Sequence, residues 1–271
     1  MSDWKYTKEK PLRVFEAFAG YGSQAMALRN IGVPYRVVGI SEIDQYAIMA
    51  YMAVHGNTHN FGDISKIEWG GVEDFDLFTY SFPCTDISNA GQQHGLTEGS
   101  GTRSSLLWEC RKAIEAKHPK YLLMENVKAL VSDKFLPQFR KWLDWLTGQG
   151  YTNYAQVLNA KDFNVPQNRE RIFVVSILGD EWYNFPESVP LEKHLKDILE
   201  ENVDEKYYLP DEKVLEFLAQ LPDETLAEYE IEIPADVREK YRNAAPVELP
   251  PDNEVGEWAE EWMIDENPYE T

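Results

Sequence analysis

The sequence predicts an α/β protein built on a doubly wound, mostly parallel sheet. Short apolar runs alternate with segments of helical spacing, and glycines and polar residues gather where the apolar runs end. In a parallel sheet of this kind the carboxyl ends of the strands meet at one edge, where ligands bind. The predicted strands are 12–18, 35–40, 77–82, 121–124, 151–158 and 172–178, and the predicted helices between them are 24–31, 45–54, 106–116 and 139–146.

The first two predicted strands end in residues suited to a nucleotide-like ligand. Gly20 and Gly22 form a tight turn before the first helix, and glycine lets the backbone approach a ligand closely. A Gly-x-Gly pair is weak by itself, because tight turns without a ligand use the same residues. Glu42 follows the second strand, about 20 residues later, where a carboxylate is well placed to accept hydrogen bonds from ribose hydroxyls. We expect Asp44 instead to cap the next helix.

Cys84 lies just beyond the third predicted strand. The strand stops at Pro83, which cannot donate to a ladder, and a polar, glycine-rich segment follows to residue 105. Free cysteines are most often small buried hydrophobes. A cysteine at a strand end before a long loop nevertheless favours a nucleophile. Cys110, which shares one helix face with Leu107 and Ile114, is predicted to be a core residue.

The remaining candidates are charged residues near strand ends. Asp63 has two open roles, as acceptor for an adenine amino group or as a turn cap. Glu125 follows the fourth strand, and Arg169 and Arg171 come just before the sixth. Taken singly, these residues would be a capping carboxylate and two surface cations. Their shared position at one edge of the sheet makes them candidates for a site.

Composition limits the class of protein. The chain has 271 residues, of which 43% are hydrophobic, and no apolar run approaches the roughly 18 residues that span a bilayer. The charged start of the chain predicts no signal peptide. Its two cysteines and five histidines show no metal-type spacing. We therefore expect a protein of the reducing cytoplasm with neither a metal nor a membrane partner.

Charge divides the chain into two predicted domains. The net charge is −21, and −18 of it falls in residues 191–271. We predict a catalytic core over 1–190 and an acidic extension over 191–271 that starts with a short helix over 191–199 and is partly disordered. Nucleic-acid binders normally carry the opposite sign. Trp258 and Trp262 in the extension suggest docking on a partner as an alternative to disorder.

Six ordered stretches resemble the cytosine-C5 DNA methyltransferase family. The resemblance covers roughly residues 12–180 and implies a sheet of the S-adenosylmethionine-dependent methyltransferase type. The matching stretches are 18–22, 42–44, 62–64, 81–84, 124–127 and 167–171.

The resemblance implies a site with two halves. Cys84 would add to C6 of a cytosine flipped out of DNA, and Glu125 would act at N3. Arg171 would hold the cytosine O2, and Arg169 would support the thiol or the flanking backbone. S-adenosylmethionine would be the methyl donor. Its implied binding residues are Phe18, Gly20 and Gly22 for the methionine part, Glu42 for the ribose, Asp63 and Ile64 for the adenine, and Pro83 beside them.

The resemblance does not extend to the target-recognition region or to the last family blocks. Three explanations stay open: a split enzyme whose second chain supplies those blocks, a degenerate domain whose acidic tail blocks or mimics DNA, and a minimal enzyme with an unusual substrate. Of these, we favour the split enzyme. An alternative of another class is an inactive methyltransferase-like protein whose acidic surface binds a basic partner.

Overall fold

The computed structural model describes residues 5–83, 103–204, 208–221, 223–228 and 232–241. Its strands are β1 (Leu12–Ala17), β2 (Tyr35–Ser41), β3 (Leu77–Tyr80), β4 (Tyr121–Val127), β5 (Tyr151–Asn159) and β6 (Glu170–Leu178). They form one sheet in the order β2-β1-β3-β4-β6-β5. β1 pairs in parallel with β2 and β3, and β3 pairs in parallel with β4. β6 runs antiparallel to β4 and β5. The predicted α/β class and mostly parallel sheet are confirmed, with β6 reversed.

Helices connect several of the strands, and further helices follow the sheet in the chain. A 3-10 helix, Arg103–Glu109, leads directly into α3, so the helix predicted over 106–116 is divided between two helical types. The helices within the described residues are α1 (Ser23–Asn30), α2 (Gln45–His55), α3 (Cys110–Lys117), α4 (Leu136–Gly148), α5 (Asp211–Gln220), α6 (Asp223–Glu228) and α7 (Ala235–Tyr241).

The core lies on both faces of the sheet because successive residues of a strand point to opposite faces. Phe15 of β1 packs in the larger hydrophobic cluster, together with Ile114 of α3 and Trp142 of α4. Its neighbour Val14 packs in a second cluster, against Leu28 of α1. Helices therefore cover both faces, as expected for a doubly wound sheet.

Two strand boundaries differ from the predicted ones in a way that affects the site. β4 continues to Val127 and β6 begins at Glu170. The reason is the antiparallel ladder between them, in which Val127 is paired with Arg171. Glu125 and Arg171 consequently lie within strands rather than beyond their ends, and the strand backbone fixes the direction of both side chains.

The chain forms two compact units, Met1–Lys193 and His194–Thr271. The described part of the second unit contains α5, α6 and α7. Within it, the Arg238 guanidinium donates to the Leu221 carbonyl oxygen at 3.2 Å and pairs with Asp223. Helix α6 and helix α7 form in a stretch where composition predicts disorder.

The helix predicted over 191–199 is absent, and only the 3-10 turn Leu195–Asp197 forms there. Its apolar side chains lie largely in solvent, since Leu195 is 61% exposed and Leu199 64% exposed. A short helix without apolar packing is marginal in water. Within the described ranges, no helix has the length and apolar character needed to cross a membrane.

Candidate active site

The turn after β1 has an unusual backbone. Phe18, Gly20 and Gly22 have φ angles of 55°, 55° and 81°, a left-handed region that costs an ordinary residue such as phenylalanine about 1–3 kcal/mol. The Phe18 N–H donates to the Ser41 carbonyl at the end of β2 (2.8 Å). The hydrogen-bond ladder between β1 and β2 therefore extends by one bond into the turn, and this bond holds the turn in its conformation.

Gly22 and Gly20 differ in what surrounds them. A Cβ added at Gly22 would lie 2.4 Å from Nε2 of His55 and 2.6 Å from Cε2 of Tyr51. A Cβ added at Gly20 would meet nothing within 4 Å. Gly22 thus packs against α2, whereas Gly20 faces open space in which a ligand could approach the backbone.

Glu42 connects the glycine turn to β2. One oxygen, Oε2, accepts a hydrogen bond from the Gly20 N–H at 2.9 Å. The other, Oε1, accepts from the N–H groups of Ile43 at 2.8 Å and Asp44 at 3.0 Å. The structure therefore brings together two of the predicted cofactor residues, Gly20 and Glu42. Asp44 caps α2 by accepting from Tyr46 and Ala47, which confirms its predicted role.

Asp63 and Ile64 follow the next connection. Asp63 Oδ1 accepts from the hydroxyl (2.8 Å) and the N–H (3.0 Å) of Ser65 and so caps a 3-10 turn. These hydrogen bonds lower the pKa of the Asp63 carboxyl. The turn-cap role left open by the sequence is present, and a role toward adenine would be additional to it. Ile64 is 2% exposed and belongs to the core cluster.

A buried carboxylate supports this half of the site, and sequence reasoning missed it. Glu16 of β1 is fully buried, and its carboxylate accepts from the Ala25 N–H (3.1 Å) and the Tyr51 hydroxyl (2.6 Å). Desolvation by burial raises the pKa of the Glu16 carboxyl, although these two hydrogen bonds oppose the shift. Glu16 thereby holds the first turn of α1 and the middle of α2 against the strand that leads into the glycine turn. The available signal was a carboxylate between the apolar residues Phe15 and Ala17 of the predicted strand.

The second half of the site lies where β3 and β4 end. Cys84 and residues 85–102 lie outside the described residues, and the half-buried Pro83 is the last residue before them. The carbonyl oxygen of Phe82 accepts from Nδ2 of Asn126 at 2.9 Å, and the Asn126 side chain is buried. Asn126 therefore fixes the backbone two residues before Cys84.

Glu125 and Arg171 lie together on neighbouring strands. Arg171 Nε and Glu125 Oε1 are 3.2 Å apart, and about a quarter of each side chain is exposed (22% and 25%). Another guanidinium nitrogen of Arg171 donates to the Glu170 carbonyl at 2.9 Å. This pair places several guanidinium donors, which suit an acceptor such as a carbonyl oxygen, beside a carboxyl group that accepts a hydrogen bond when ionised and donates one when protonated.

Arg169 lies on the connection between β5 and β6. Its side chain is exposed and makes no hydrogen bond or ion pair to the part of the chain that the structure describes. Its backbone is fixed, because the Arg169 N–H donates to Oδ1 of Asn159 at 3.1 Å. The structure does not bring Arg169 into contact with Glu125 or Arg171.

Cys110 is a core residue, as predicted. It is fully buried in α3, and burial raises the pKa of its thiol well above the ordinary value. The group is therefore protonated and inert at neutral pH. No group of three side chains within the described ranges could hold a metal ion.

The residues at the β1–β2 end fit the nucleoside part of S-adenosylmethionine. Carboxylates suit ribose hydroxyls, and Glu42 lies beside the open space over Gly20. Gly62, which precedes Asp63, likewise has open space where its Cβ would be. The carboxylate acceptors of Glu42 and the open space over Gly20 and Gly62 are both appropriate for a ligand that approaches the backbone closely.

Comparison with known proteins gives one consistent family. Residues 12–262 match the model of the C-5 cytosine-specific DNA methylase family. Type II methyltransferase M2.ScrFI of Lactococcus lactis subsp. cremoris is 45% identical over 257 residues, covering 75% of this chain and 71% of that protein. Orphan methyltransferase M.Rho11sI of Bacillus phage rho11s is 37% identical over 243 residues, covering 78% of this chain and 48% of that protein. The chain thus spans about half the length of the phage enzyme.

Solved structures support the fold. The Entamoeba histolytica methyltransferase EhMeth superimposes with a TM-score of 0.65 at 20% identity, covering 79% of this chain and 67% of that one. The S. pombe Dnmt2 methyltransferase gives a TM-score of 0.59 at 22% identity, covering 82% and 66%. At these identities the likeness concerns the architecture alone.

Proposed function

Because the chain belongs to the C-5 cytosine-specific DNA methylase family, we propose that it transfers a methyl group to C5 of cytosine in DNA. S-adenosylmethionine is the proposed donor, and Cys84 is the proposed nucleophile. The observation that best supports this function is the Glu125–Arg171 pair, at the edge of the sheet where β1 to β4 end. Residues suited to pyrimidine chemistry and residues suited to a nucleoside-type cofactor lie at the same edge of the sheet, so both could take part in one reaction.

The proposed cofactor residues come from the segments after β1, β2 and β3 and from the connection between α2 and β3. Phe18, Gly20 and Gly22 would hold the methionine part, Glu42 the ribose, and Asp63 with Ile64 the adenine. Pro83 would border the same pocket. When bound, S-adenosylmethionine supplies an electrophilic methyl group on a sulfonium sulfur.

The proposed reaction starts on the cytosine ring. The Cys84 thiolate forms a bond to C6, and the electron pair of the C5–C6 double bond moves toward N3, where Glu125 donates a proton or a hydrogen bond. C5 is then nucleophilic and would take the methyl group as the bond between that group and the sulfonium sulfur breaks, so that the sulfur would leave as a neutral thioether. A base removes the C5 proton, the C5–C6 double bond re-forms, the Cys84 thiolate leaves, and any proton given to N3 returns to Glu125. Arg171 would hold O2 throughout, and Arg169 would support the thiol or the flanking backbone.

The target base must leave the duplex, because Cys84 has to approach C6 from the face of the ring. We propose DNA with a flipped cytosine as the substrate. Base-edge contacts are what specify sequence, and the resemblance over residues 12–180 does not include a target-recognition region. We propose, in addition, that a second chain supplies target recognition.

The test is methyl transfer from labelled S-adenosylmethionine to cytosine-containing DNA, by the wild type and by Cys84→Ser. We expect label in DNA with the wild type, none with Cys84→Ser, and equal cofactor binding by the two proteins in calorimetry. DNA with 5-fluorocytosine should trap a covalent complex that survives denaturation only with the wild type, because fluorine cannot leave C5 as a proton does. RNA of the same sequence separates the two nucleic-acid substrates, and co-expression with the neighbouring reading frame tests the second chain.

A non-enzymatic function is the second candidate, and the acidic extension favours it. Residues 191–271 carry −18 of the net charge of −21, which suits a basic protein partner better than a phosphate backbone. Equal absence of label with the wild type and Cys84→Ser, alone and with every co-expressed neighbour, would support this candidate and exclude the enzyme.

A further inference from the structure

The side chain of Asn60 joins two segments of the proposed cofactor pocket. Its Oδ1 accepts from the Glu42 N–H at 3.1 Å and from the Gly62 N–H at 2.9 Å. Its Nδ2 donates to the Glu42 carbonyl oxygen at 3.0 Å. One amide group thus holds both backbone polar groups of Glu42 and fixes them to the residue just before Asp63.

Backbone bonds prepare this junction but do not complete it. The Phe61 N–H donates to the Ile40 carbonyl at 2.8 Å, and the Ile40 N–H donates to the His59 carbonyl at 3.0 Å. The Ser41 hydroxyl donates to the Gly62 carbonyl at 2.6 Å. These bonds align residues 59–62 with the last residues of β2, whereas the bonds to the backbone of Glu42 itself come from Asn60.

The chemistry of the junction requires a carboxamide. Two N–H donors converge on one atom and a carbonyl acceptor faces the other, so the side chain must accept and donate at once. Aspartate has the same shape but would place an oxygen against the Glu42 carbonyl oxygen. Alanine would leave three backbone groups without their partner, and each such loss costs about 1–3 kcal/mol if the group stays buried.

We infer that Asn60 is a positioning residue for the cofactor, one that sets the distance between Glu42 and the Gly62–Asp63–Ile64 segment and hence between the ribose and adenine contacts. The inference rests on the proposed function. It concerns ground-state binding of the nucleoside part and not the transfer step. Asn60 therefore controls cofactor affinity, and the rate with saturating cofactor is independent of it.

Asn57 is a matched control on the same connection. It is exposed and forms no side-chain hydrogen bond with the described part of the chain. Asn57→Asp introduces the same charge as Asn60→Asp, three positions away, and Asn57→Ala makes the same truncation as Asn60→Ala. The comparison separates the loss of the junction from a change of local charge.

The experiment measures affinities of the full chain for S-adenosylmethionine and S-adenosylhomocysteine by calorimetry. We expect Asn60→Asp and Asn60→Ala to weaken both about tenfold, the effect of roughly 1.4 kcal/mol. We expect both Asn57 variants to match the wild type within about twofold. At saturating cofactor, kcat and the KM for DNA should stay within about twofold of the wild type.

Amide hydrogen exchange gives a readout that does not depend on activity. The N–H groups of Glu42 and Gly62 should exchange faster in Asn60→Ala than in the wild type or Asn57→Ala, because alanine removes the oxygen to which both donate, with thermal unfolding as the check on folding. Should Asn60→Ala fail to fold, Asn60→Asp, which keeps the shape and two of the three bonds, is sufficient for the affinity test.

Two results would overturn the inference and can be told apart. Wild-type affinity in Asn60→Asp, or an equal loss in Asn57→Asp, overturns the role of Asn60 and leaves the proposed function standing. Failure of the wild type itself to bind either compound overturns the proposed function and the inference together.

Discussion

The candidate site lies at the edge of the sheet where β1 to β4 end, and its two halves hold their charged groups in different ways. At the ends of β1 and β2, the carboxylates of Glu16 and Glu42 accept hydrogen bonds from backbone N–H groups. At β4 and β6, Glu125 pairs with the side chain of Arg171. A second side-chain pair, Lys128 with Glu170 at 2.8 Å, lies beside it, between the end of β4 and the start of β6.

The difference matches the two tasks proposed for the edge. The Glu42 carboxylate, bound to backbone N–H groups, keeps its position without depending on the rotamer of another side chain, and the Glu16 carboxylate is held by the Ala25 N–H and by the buried Tyr51 hydroxyl. The proposed cofactor half is therefore fixed before a ligand arrives. The side chains of Glu125 and Arg171 are partly exposed, and ion pairs of this kind contribute about 1 kcal/mol or less. Each can therefore release its partner and bind a substrate at small cost. On the proposed function, the fixed carboxylates would serve cofactor binding, and the exchangeable pair would meet the cytosine.

The largest effect that would separate the halves is expected from Glu125→Gln. Loss of the proposed acid should lower kcat for methyl transfer by about 10²–10⁴-fold. The free energy of unfolding should change by less than about 1 kcal/mol, since only a partly exposed pair is lost. Urea unfolding and single-turnover rates measure the two quantities.

Glu170→Gln is the control for that experiment. It breaks the Lys128–Glu170 pair, which joins the same part of the edge and is more exposed (55% and 43%). We expect unchanged kcat and an equally small change in stability. If Glu125→Gln and Glu170→Gln lose kcat equally, the loss comes from disturbing the pairing of β4 with β6. The distinction between the two halves of the site would then be wrong.

A second comparison tests the rigidity of the cofactor half through its two glycines. Gly22→Ala should destabilise the fold by about 2–4 kcal/mol, because the new methyl group combines left-handed strain with overlap on Tyr51 and His55. Gly20→Ala should cost about 1–2 kcal/mol, from strain alone, since its Cβ meets nothing within 4 Å. Chemical denaturation gives both values, and equal costs would show that α2 does not constrain the turn.

The sequence was sufficient to predict the features of the fold and the site that depend on local residue patterns. It predicted all six strands, the cap at Asp44 and the core position of Cys110, because each follows from spacing or from a residue next to a boundary. It could not predict that Glu125 faces Arg171, since that contact depends on the register of two strands 46 positions apart in the chain. The two roles of Asp63 could not be separated either, because a turn cap and a ligand acceptor have the same sequence pattern.

Glu16 and Asn60 show a further limit. Each side chain forms a hydrogen bond with the backbone of a residue that is distant from it in the sequence. Glu16 binds the N–H of Ala25, and Asn60 binds the N–H of Glu42. Their function as supports becomes visible only once the strand ends are brought together. Polar residues of this kind carry no periodic signal, so a search for strand-end motifs passes over them.

The smallest expected effect is a difference in pH dependence between two carboxylates of the cofactor half. The folded-state pKa of Glu16 is raised above its ordinary 4.5, chiefly by burial, whereas hydrogen bonds from Ser65 lower the pKa of Asp63 below its ordinary 3.8. Glu16 therefore contributes stability that is complete below pH 4.5 and is lost as pH rises through the raised value. Asp63 contributes stability that is present above pH 3.8 and is lost as pH falls through the lowered value.

Substitution by the neutral amide should expose these opposite signs. Relative to the wild type, Glu16→Gln should become more stable as pH rises above 4.5, because its amide oxygen can keep the bond from Ala25 and its amide nitrogen can donate to the Tyr51 hydroxyl. Asp63→Asn should lose its disadvantage as pH falls below 3.8. Urea unfolding across this range measures both changes, and the change at Asp63 should be the smaller because solvent screens a partly exposed carboxylate. If the stability of the two variants relative to the wild type changes with pH in the same direction, burial does not dominate the pKa of Glu16. The claim that a fixed, desolvated carboxylate distinguishes this half of the site would then be wrong.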